Sequence, residues 1–278
     1  VKSVIYIYLQ GGMSHLDSFD PKENEEIKGT TNAIGTNVPG IQISEHLPKL
    51  AAIMDKIAIV RSMSSTAGAH KQGQYIARTS YQLRGSIIHP ALGAWAASEV
   101  ERETELPGYV LISGPSNHPG AGYLPKKFSP LPIVDPNRGL ANAKTDPKLT
   151  ERLELLSSVN KTANVKQPKV AENVQFYDET LKLLNSSELN VFDLNKVDSK
   201  RRNDYGMNKI GQGCLLAKRL VKQGITFVEV ENGGWDTHVN NFDKLTQKLP
   251  EVDTAISALV ADLESEGLLD STLIAIAT

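Results

Sequence analysis

The order of apolar segments along the chain narrows the fold more than any other property. Residues 4–9 (VIYIYL) are β-branched and aromatic and lead into Gly11 and Gly12, which predicts a buried strand that ends in a glycine turn. Similar runs predict further strands at residues 57–60, 109–112, 225–230 and 272–277. Because helically spaced segments separate these runs, we expect one α/β domain over residues 1–278, with a mostly parallel central sheet covered on both faces.

Helices are predicted where apolar residues recur at intervals of three and four, at residues 47–54, 69–79, 90–100, 210–221 and 252–263. Residues 114–147 are rich in proline and glycine and predict a long irregular excursion, of the kind that often lies over a site. Helical spacing returns at residues 148–187 through Leu149, Leu153 and Leu156, and later through Val174, Tyr177, Leu181 and Leu184. We therefore expect a loop and helical insertion at about residues 114–205.

Charge and cysteine content exclude several classes of function. Lys and Arg number 30 and Asp and Glu number 32, so a net charge of −2 offers no field for nucleic acid. No apolar run approaches the roughly 18 residues of a membrane span. Cys214 is the only cysteine, so a metal would need His and carboxylate ligands. The chain begins at Val1 rather than Met, and we expect a leader to have been removed.

Ligand sites in parallel sheets lie at the carboxyl ends of the strands, so the segments that follow each predicted strand are the candidates for chemistry. After the strand at residues 225–230 comes GGWDTH, in which Asp236 and His238 can point to the same side of an extended segment. A carboxylate and an imidazole together suit zinc, manganese or iron better than calcium. The alternative, which we weight about equally, is that Asp236 caps a helix from Val239 while His238 is solvated.

Two other segments offer polar side chains at the same edge. After the first strand, GGMSHLDSFD supplies His15, Asp17 and Asp20. After residues 57–60, hydroxyl groups of Ser64, Ser65 and Thr66 precede His70 at a predicted helix N-terminus, where N–H groups and the helix dipole can hold an anion. An ordinary Ser or Thr cap with His70 on the surface explains this second segment equally well. We expect Gly11, Gly12, His70, Asp236 and His238 to lie close together.

The remaining histidines and the cysteine give weaker signals. His46 and His89 are interpreted as structural, and Cys214, within a helical stripe, as a core residue. His118 lies in the proline-rich excursion and would reach a site if that loop covers one.

Three motifs in order support a resemblance along the whole chain. They are YLQGGMSHLDSFDPK at residues 8–22, NVPGIQISEHLP at residues 37–48 and GGWDTH at residues 233–238. Together they resemble the bacterial domain-of-unknown-function family 1501, which is itself similar to sulfatases and the wider alkaline-phosphatase-like superfamily.

This resemblance implies a three-layer α/β/α, alkaline-phosphatase-like fold and a metal-dependent hydrolase of sulfate or phosphate esters. It implies a divalent ion such as zinc, manganese or calcium, a small-molecule or saccharide ester as substrate, and a periplasmic or secreted location, without a nucleic acid or membrane partner. By the same resemblance His70 takes the catalytic position, and Asp236, His238, Asp17 and His15 supply metal ligands. Further ligands of relatives follow the closing strand, so the chain looks truncated at Thr278.

Two hypotheses follow. In the first, the chain is an exported metallohydrolase, in which the ion polarises the ester and the helix end at His70 holds the anionic group. In the second, the scaffold has lost hydrolysis and serves as a non-catalytic binding or structural protein. Asp236 and His238 favour the first hypothesis. The second is favoured by His70, which stands where sulfatases place a Cys or Ser nucleophile, and by Gln10 and Gly11, which stand where many relatives have acids. We expect residues 1–278 alone to bind a divalent metal weakly or not at all and to be inactive as a hydrolase.

Overall fold

The computed structural model describes residues 1–24, 26–100, 104, 106–115, 117–140, 148–162, 183 and 186–278.

The described residues form a five-stranded sheet and a separate two-stranded hairpin. The strands are β1 (Ser3–Leu9), β2 (Ala33–Gly35), β3 (Gln42–Ser44), β4 (Tyr109–Ile112), β5 (Leu131–Ile133), β6 (Phe227–Asn232) and β7 (Thr272–Ala277). The helices are α1 (Pro48–Ala51), α2 (His70–Thr79), α3 (Leu92–Glu99), α4 (Leu149–Thr162), α5 (Ser199–Asp204), α6 (Lys209–Lys222) and α7 (Asn241–Ser265).

The central sheet has the order β5-β4-β6-β1-β7, and all of its strand pairs are parallel. Leu9, the last residue of β1, pairs with Asn232, the last residue of β6. The two central strands therefore end at the same level, and the segments that follow them lie side by side. The predicted α/β class with a mostly parallel sheet is confirmed.

Helices cover both faces of the sheet. On one face, α6 and α7 pack over a core that includes Val228 and Val230 of β6. On the other face, α3 packs against β4 and β6, in a second core that contains Tyr6, Tyr109 and Phe227. Side chains alternate between the faces along each strand, so every other residue of β6 belongs to the second face.

Strands β1, β4 and β7 lie where the sequence predicts them, and β6 begins and ends two residues later than predicted. The predicted strand at residues 57–60 is wrong. Ile57 and Ile59 pack against the core from an extended segment, but this segment pairs with no described strand, and Val60 is 68% exposed. Alternating burial is thus present without hydrogen-bonded pairing.

The excursion at residues 114–147 contains β5, which the sequence analysis missed. Pro132 at its centre argues against a strand, but β5 is the edge of the sheet, where a residue without an N–H group is tolerated. The helix predicted through Leu149 and Leu156 is confirmed as α4. The later positions of that prediction, Val174, Tyr177, Leu181 and Leu184, lie outside the described residues. No helix in the described part of the chain is both long and apolar enough to cross a membrane.

Candidate functional site

The segments that follow β1 and β6 are in direct contact at the carboxyl edge of the sheet. The Trp235 N–H donates a hydrogen bond to the Gln10 carbonyl oxygen (3.1 Å). Gly11 has φ +117°, and a Cβ placed on it would lie 2.4 Å from the Asp236 nitrogen. Only glycine fits this close approach, which explains why the turn after the first strand has a glycine at position 11.

Asp236 lies between two imidazoles. Its Oδ2 is 3.2 Å from His70 Nε2, and its Oδ1 is 2.7 Å from His238 Nδ1. The His70, Asp236 and His238 side chains are 64%, 43% and 74% exposed, so solvent and small solutes reach all three. The predicted proximity of Gly11, His70, Asp236 and His238 is confirmed, and we call these three polar side chains the His–Asp–His site.

The route by which sequence reasoning reached His70 was partly wrong. His70 was expected to follow a strand at residues 57–60, and no strand is there. The predicted helix at residues 69–79 is confirmed as α2, and His70, its first residue, lies at the edge of the sheet. The suggested helix cap at Asp236 is also wrong, because the next helix begins at Asn241, with Asn240 in the capping position.

A buried tryptophan fixes the loop that carries Asp236. Trp235 is 1% exposed and packs in the larger core, while its Nε1–H donates to Asn232 Oδ1 (2.9 Å). Lys248 of α7 donates to the Gly233 carbonyl oxygen (3.0 Å), and its Nζ lies 4.7 Å from the centroid of the Trp235 ring. The main chain next to Asp236 is therefore held by both β6 and α7.

Asp17 supports the same loop from the β1 side. It is buried and accepts hydrogen bonds from Ser14 Oγ (2.6 Å), Thr31 Oγ1 (3.0 Å) and Asn241 Nδ2 (3.1 Å). Asn241 in turn accepts from Thr237 Oγ1 (2.5 Å), which lies between Asp236 and His238 in sequence. The structure thus places Asp17 in a supporting chain of hydrogen bonds behind the His–Asp–His site.

The other acid and the histidine predicted after β1 lie apart from this chain of bonds. Asp20 is buried and forms ion pairs with Lys22 (2.7 Å) and Arg61 (3.5 Å). His15 is exposed, and its carbonyl oxygen accepts from the Ser18 and Asp20 N–H groups.

The hydroxyl groups proposed for anion binding precede α2 in an exposed segment. Ser64, Ser65 and Thr66 are all exposed, and Ser65 Oγ accepts from the Ala67 N–H (3.1 Å). The N-cap of α2 is Ala69, which has no side-chain acceptor, so the Ser or Thr cap suggested by the sequence is not formed. The N–H groups of the first turn therefore lack a side-chain cap, which leaves this end open to an anion.

A carboxylate with imidazoles has the donor chemistry that zinc and manganese prefer. Two ligands of a tetrahedral ion with bonds of about 2.1 Å lie about 3.4 Å apart. The distance from Asp236 to His70 (3.2 Å) is close to this value, whereas the distance from Asp236 to His238 (2.7 Å) is shorter, so His238 would have to move to share an ion with Asp236. In the parts of the chain that the structure describes, however, no group of three or more His, Cys, Asp or Glu side chains is arranged to hold a metal ion.

Sequence reasoning missed a buried cluster of charged groups between α2 and the sheet. Arg78 of α2 binds two acids of β6, with Nε 3.1 Å from Glu229 Oε1 and an Nη2 2.5 Å from Glu231 Oε2. Tyr109 Oη donates to Glu229 Oε2 (2.5 Å), and His118 Nε2 lies 3.2 Å from the same oxygen. We call these five residues the Arg78 cluster. The sequence signal for this cluster was the pair of acids Glu229 and Glu231, which point to the same face of a mostly apolar strand.

Cys214 is fully buried in α6, as predicted, and burial raises the pKa of its thiol to about 12. A thiol with so high a pKa is a poor nucleophile at neutral pH. The predicted role of Cys214 as a core residue is confirmed.

The fold and the site define an α/β protein with exposed imidazole and carboxylate groups at the carboxyl edge of a parallel sheet. The chain belongs to the family described as "Protein of unknown function (DUF1501)", whose family model matches residues 1–278. No curated protein and no solved structure matches the chain.

Proposed function

We propose that this chain carries the reaction centre of a sulfatase-like, metal-dependent hydrolase of sulfate or phosphate esters, and that this centre is the His–Asp–His site. The observation that carries the proposal is the Asp236 carboxylate between His70 and His238, at the edge where parallel sheets bind ligands. Exposure of all three side chains leaves room for a small-molecule or saccharide ester.

Asp236 and His238 are the proposed metal ligands, and His70 is the proposed catalytic residue. A bound divalent ion would polarise the ester oxygen and neutralise its charge. Asp236 orients the His70 ring through Nε2, while the second ring nitrogen is left for the substrate. Asp17 and His15 remain proposed as further ligands, which would require Asp17 to exchange its hydrogen bonds for the ion.

The N-terminus of α2 is the proposed seat of the sulfate or phosphate group. Its uncapped N–H groups and the positive end of its dipole favour an anion, and Ser64, Ser65 and Thr66 lie just before it. An anion there would be next to His70, the first residue of the helix.

A zinc titration tests the metal part of this proposal. We expect Asp236→Asn to weaken zinc binding at least about tenfold in calorimetry, because it removes the carboxylate next to both imidazoles. Asp243→Asn, which changes an exposed acid in the first turn of α7, is the matched control and should bind like the wild type. Equal zinc binding by wild type and Asp236→Asn would refute the assignment. The same titration tests the expectation that residues 1–278 bind metal weakly.

Turnover of p-nitrophenyl sulfate and phosphate by the complete gene product tests the reaction. Hydrolysis that Asp236→Asn and His70→Gln abolish is the expected result, and hydrolysis that survives both variants would refute the site.

The second candidate is a non-catalytic binding protein on the same scaffold. Two observations favour it. Among the described residues, no group of three or more side chains is arranged to hold a metal ion, and the Asp17 oxygens already accept hydrogen bonds from three partners. Binding of sulfate or phosphate without turnover, weakened by His70→Gln, is the result that would support it instead.

A further inference from the structure

The Arg78 cluster ties helix α2 to strand β6 at a buried position. The Arg78, Glu229 and Glu231 side chains are 3%, 2% and 4% exposed. The Arg78 guanidinium also lies over the Tyr8 ring of β1, with Cζ 4.6 Å from the ring centroid. One turn of α2 is thus bonded to one central strand and stacked on its neighbour.

The charges of this cluster are unusual for a protein interior. Two carboxylates share one guanidinium, and burial of such groups is costly unless they are paired and hydrogen-bonded. Burial would raise the pKa of Glu229, but the hydrogen bond and charge of His118, with Arg78, bring it below its usual value. Burial raises the pKa of Glu231 despite the attraction of Arg78. The two acids of one strand are therefore electrostatically distinct.

The two elements joined by Arg78 are those that carry the two halves of the reaction centre. Helix α2 begins at His70 and has Arg78 in its last turn, eight residues later, or about 12 Å along a rigid helix. Strand β6 carries Glu229 and Glu231 and leads directly into the loop that carries Asp236. The contact between His70 and Asp236 therefore depends on the position of α2 relative to β6.

We propose that Arg78 is a positioning residue, which sets the axial position of α2 on β6 and thereby the His70–Asp236 pairing. The catalytic use of that pairing rests on the proposed function, but the pairing itself does not. The planar guanidinium contacts Glu229 through Nε and Glu231 through Nη2, two acids on the same face of the strand, so a shift of the helix along β6 breaks at least one bond. A lysine ammonium is a point charge that keeps the pairing charge but not this two-point geometry.

A second contact of α2 restrains the same turn without fixing the register. Tyr6 Oη donates to the Ala77 carbonyl oxygen (2.8 Å), next to Arg78. One such bond lets the helix turn about it, whereas two bonds to two acids of a strand fix both position and direction. Arg78 is therefore the residue whose replacement should move His70.

The test measures the His70–Asp236 pairing directly, by nitrogen chemical shifts of the imidazole ring. The chain has six histidines, and His70→Gln assigns the His70 signal. The His70 chemical shift in the wild type defines the value for the paired ring, and the shift in Asp236→Asn defines the value for the unpaired ring. We expect Arg78→Lys to move the His70 signal at least halfway towards the Asp236→Asn value while the protein remains folded by circular dichroism.

Arg202→Lys is the matched control for a general loss of stability. Arg202 is a half-buried arginine of α5 that contacts Gln212 Oε1 (2.8 Å) and Asn137 Oδ1 (2.6 Å). Its replacement should lower the melting temperature without moving the His70 signal, because the hydrogen bonds described for its side chain go to Gln212 of α6 and to Asn137. A shift of equal size in this control would overturn the proposal.

A folded Arg78→Lys protein with the wild-type His70 signal would also overturn the proposal. If Arg78→Lys does not fold, Glu231→Gln decides, since it removes one of the two bonds and must still move the signal. Unfolding of both variants would make the cluster structural only and would refute positioning. Zinc binding and ester turnover are measured on the same variants. A wild type without either activity, but with a His70 shift in Arg78→Lys, would refute the proposed function and support the positioning role.

Discussion

At Gly11 the segment after β1 lies directly against the main chain of Asp236 in the segment after β6. The φ of Gly11 is +117°, and a Cβ at this position would lie 2.4 Å from the Asp236 nitrogen, so there is no space for a side chain. Its neighbour Gly12 also has a positive φ, +80°, but a Cβ there would meet nothing within 4 Å. Comparison of the two glycines therefore separates two effects of a side chain. Backbone strain would arise at both positions, whereas steric contact would arise only at Gly11.

We expect Gly12→Ala to lower the free energy of unfolding by about 1–2 kcal/mol through backbone strain alone. Gly11→Ala should cost about 1–3 kcal/mol more, because the Asp236 main chain must move. Urea denaturation measures both losses. Only Gly11→Ala should change the His70 and His238 ring signals. Equal losses in the two variants, or unchanged histidine signals in Gly11→Ala, would contradict the close approach as the reason for this glycine.

At the scale of elements, helices α6 and α7 are joined at their ends by Glu266. Glu266 caps α7 and binds Lys218 and Lys222 of α6, the latter at 3.0 Å. Burial tends to raise the pKa of Glu266, but the two lysines outweigh it and the pKa is lowered. The unfolded chain therefore binds more protons near the ordinary value of 4.5, and stability rises with pH through that range.

Glu266→Gln should accordingly be less stable than the wild type at neutral pH, by roughly 1 kcal/mol or less. The difference should be complete above about pH 5, where the unfolded-state carboxyl is ionised, and should disappear as the pH falls through the lowered folded-state pKa. Thermal unfolding of both proteins between pH 3 and pH 7 measures this difference in stability. A difference that grows towards acid pH would have the wrong sign for this ion pair.

The elements predicted from the sequence are those whose signals are local. Strands β1, β4 and β7 are continuous apolar runs, and α2 and α6 have clear helical spacing, so their own residues specify them. Residues 57–60 carry the same local signal without a partner strand, and β5 carries a proline that only its edge position allows. Pairing partners and edge positions are properties of the whole sheet, which local patterns do not contain.

The candidate site divides in the same way. His70, Asp236 and His238 were found because each lies in a short polar segment next to a glycine. Arg78 was missed because its partners, Glu229 and Glu231, are about 150 residues away in sequence and meet it only after the sheet has formed. A charged residue on a helix is usually expected to face solvent, and only the structure shows that Arg78 is buried.

At the scale of the whole molecule, the site and the core are continuous. Trp235 precedes Asp236 by one residue, yet it is 1% exposed within the same apolar cluster as Leu249 and Leu259 of α7 and Val228 of β6. The loop that carries the proposed metal ligands is thus part of the packed interior at one residue and open to solvent at the next. Local opening of this loop would expose the Trp235 ring and break its contact with Lys248.

This continuity predicts that the site loop unfolds together with the sheet. The chain has two tryptophans, so Trp95→Phe leaves Trp235 as the only indole emitter. In that variant the urea midpoint from Trp235 emission should coincide with the midpoint from far-UV circular dichroism, because both report one cooperative core. Chains of more than about 150 residues often unfold through intermediates, so coincidence is not a trivial outcome. A fluorescence change at distinctly lower urea would mean that the loop opens separately, and it would count against the prediction that residues 1–278 form one domain.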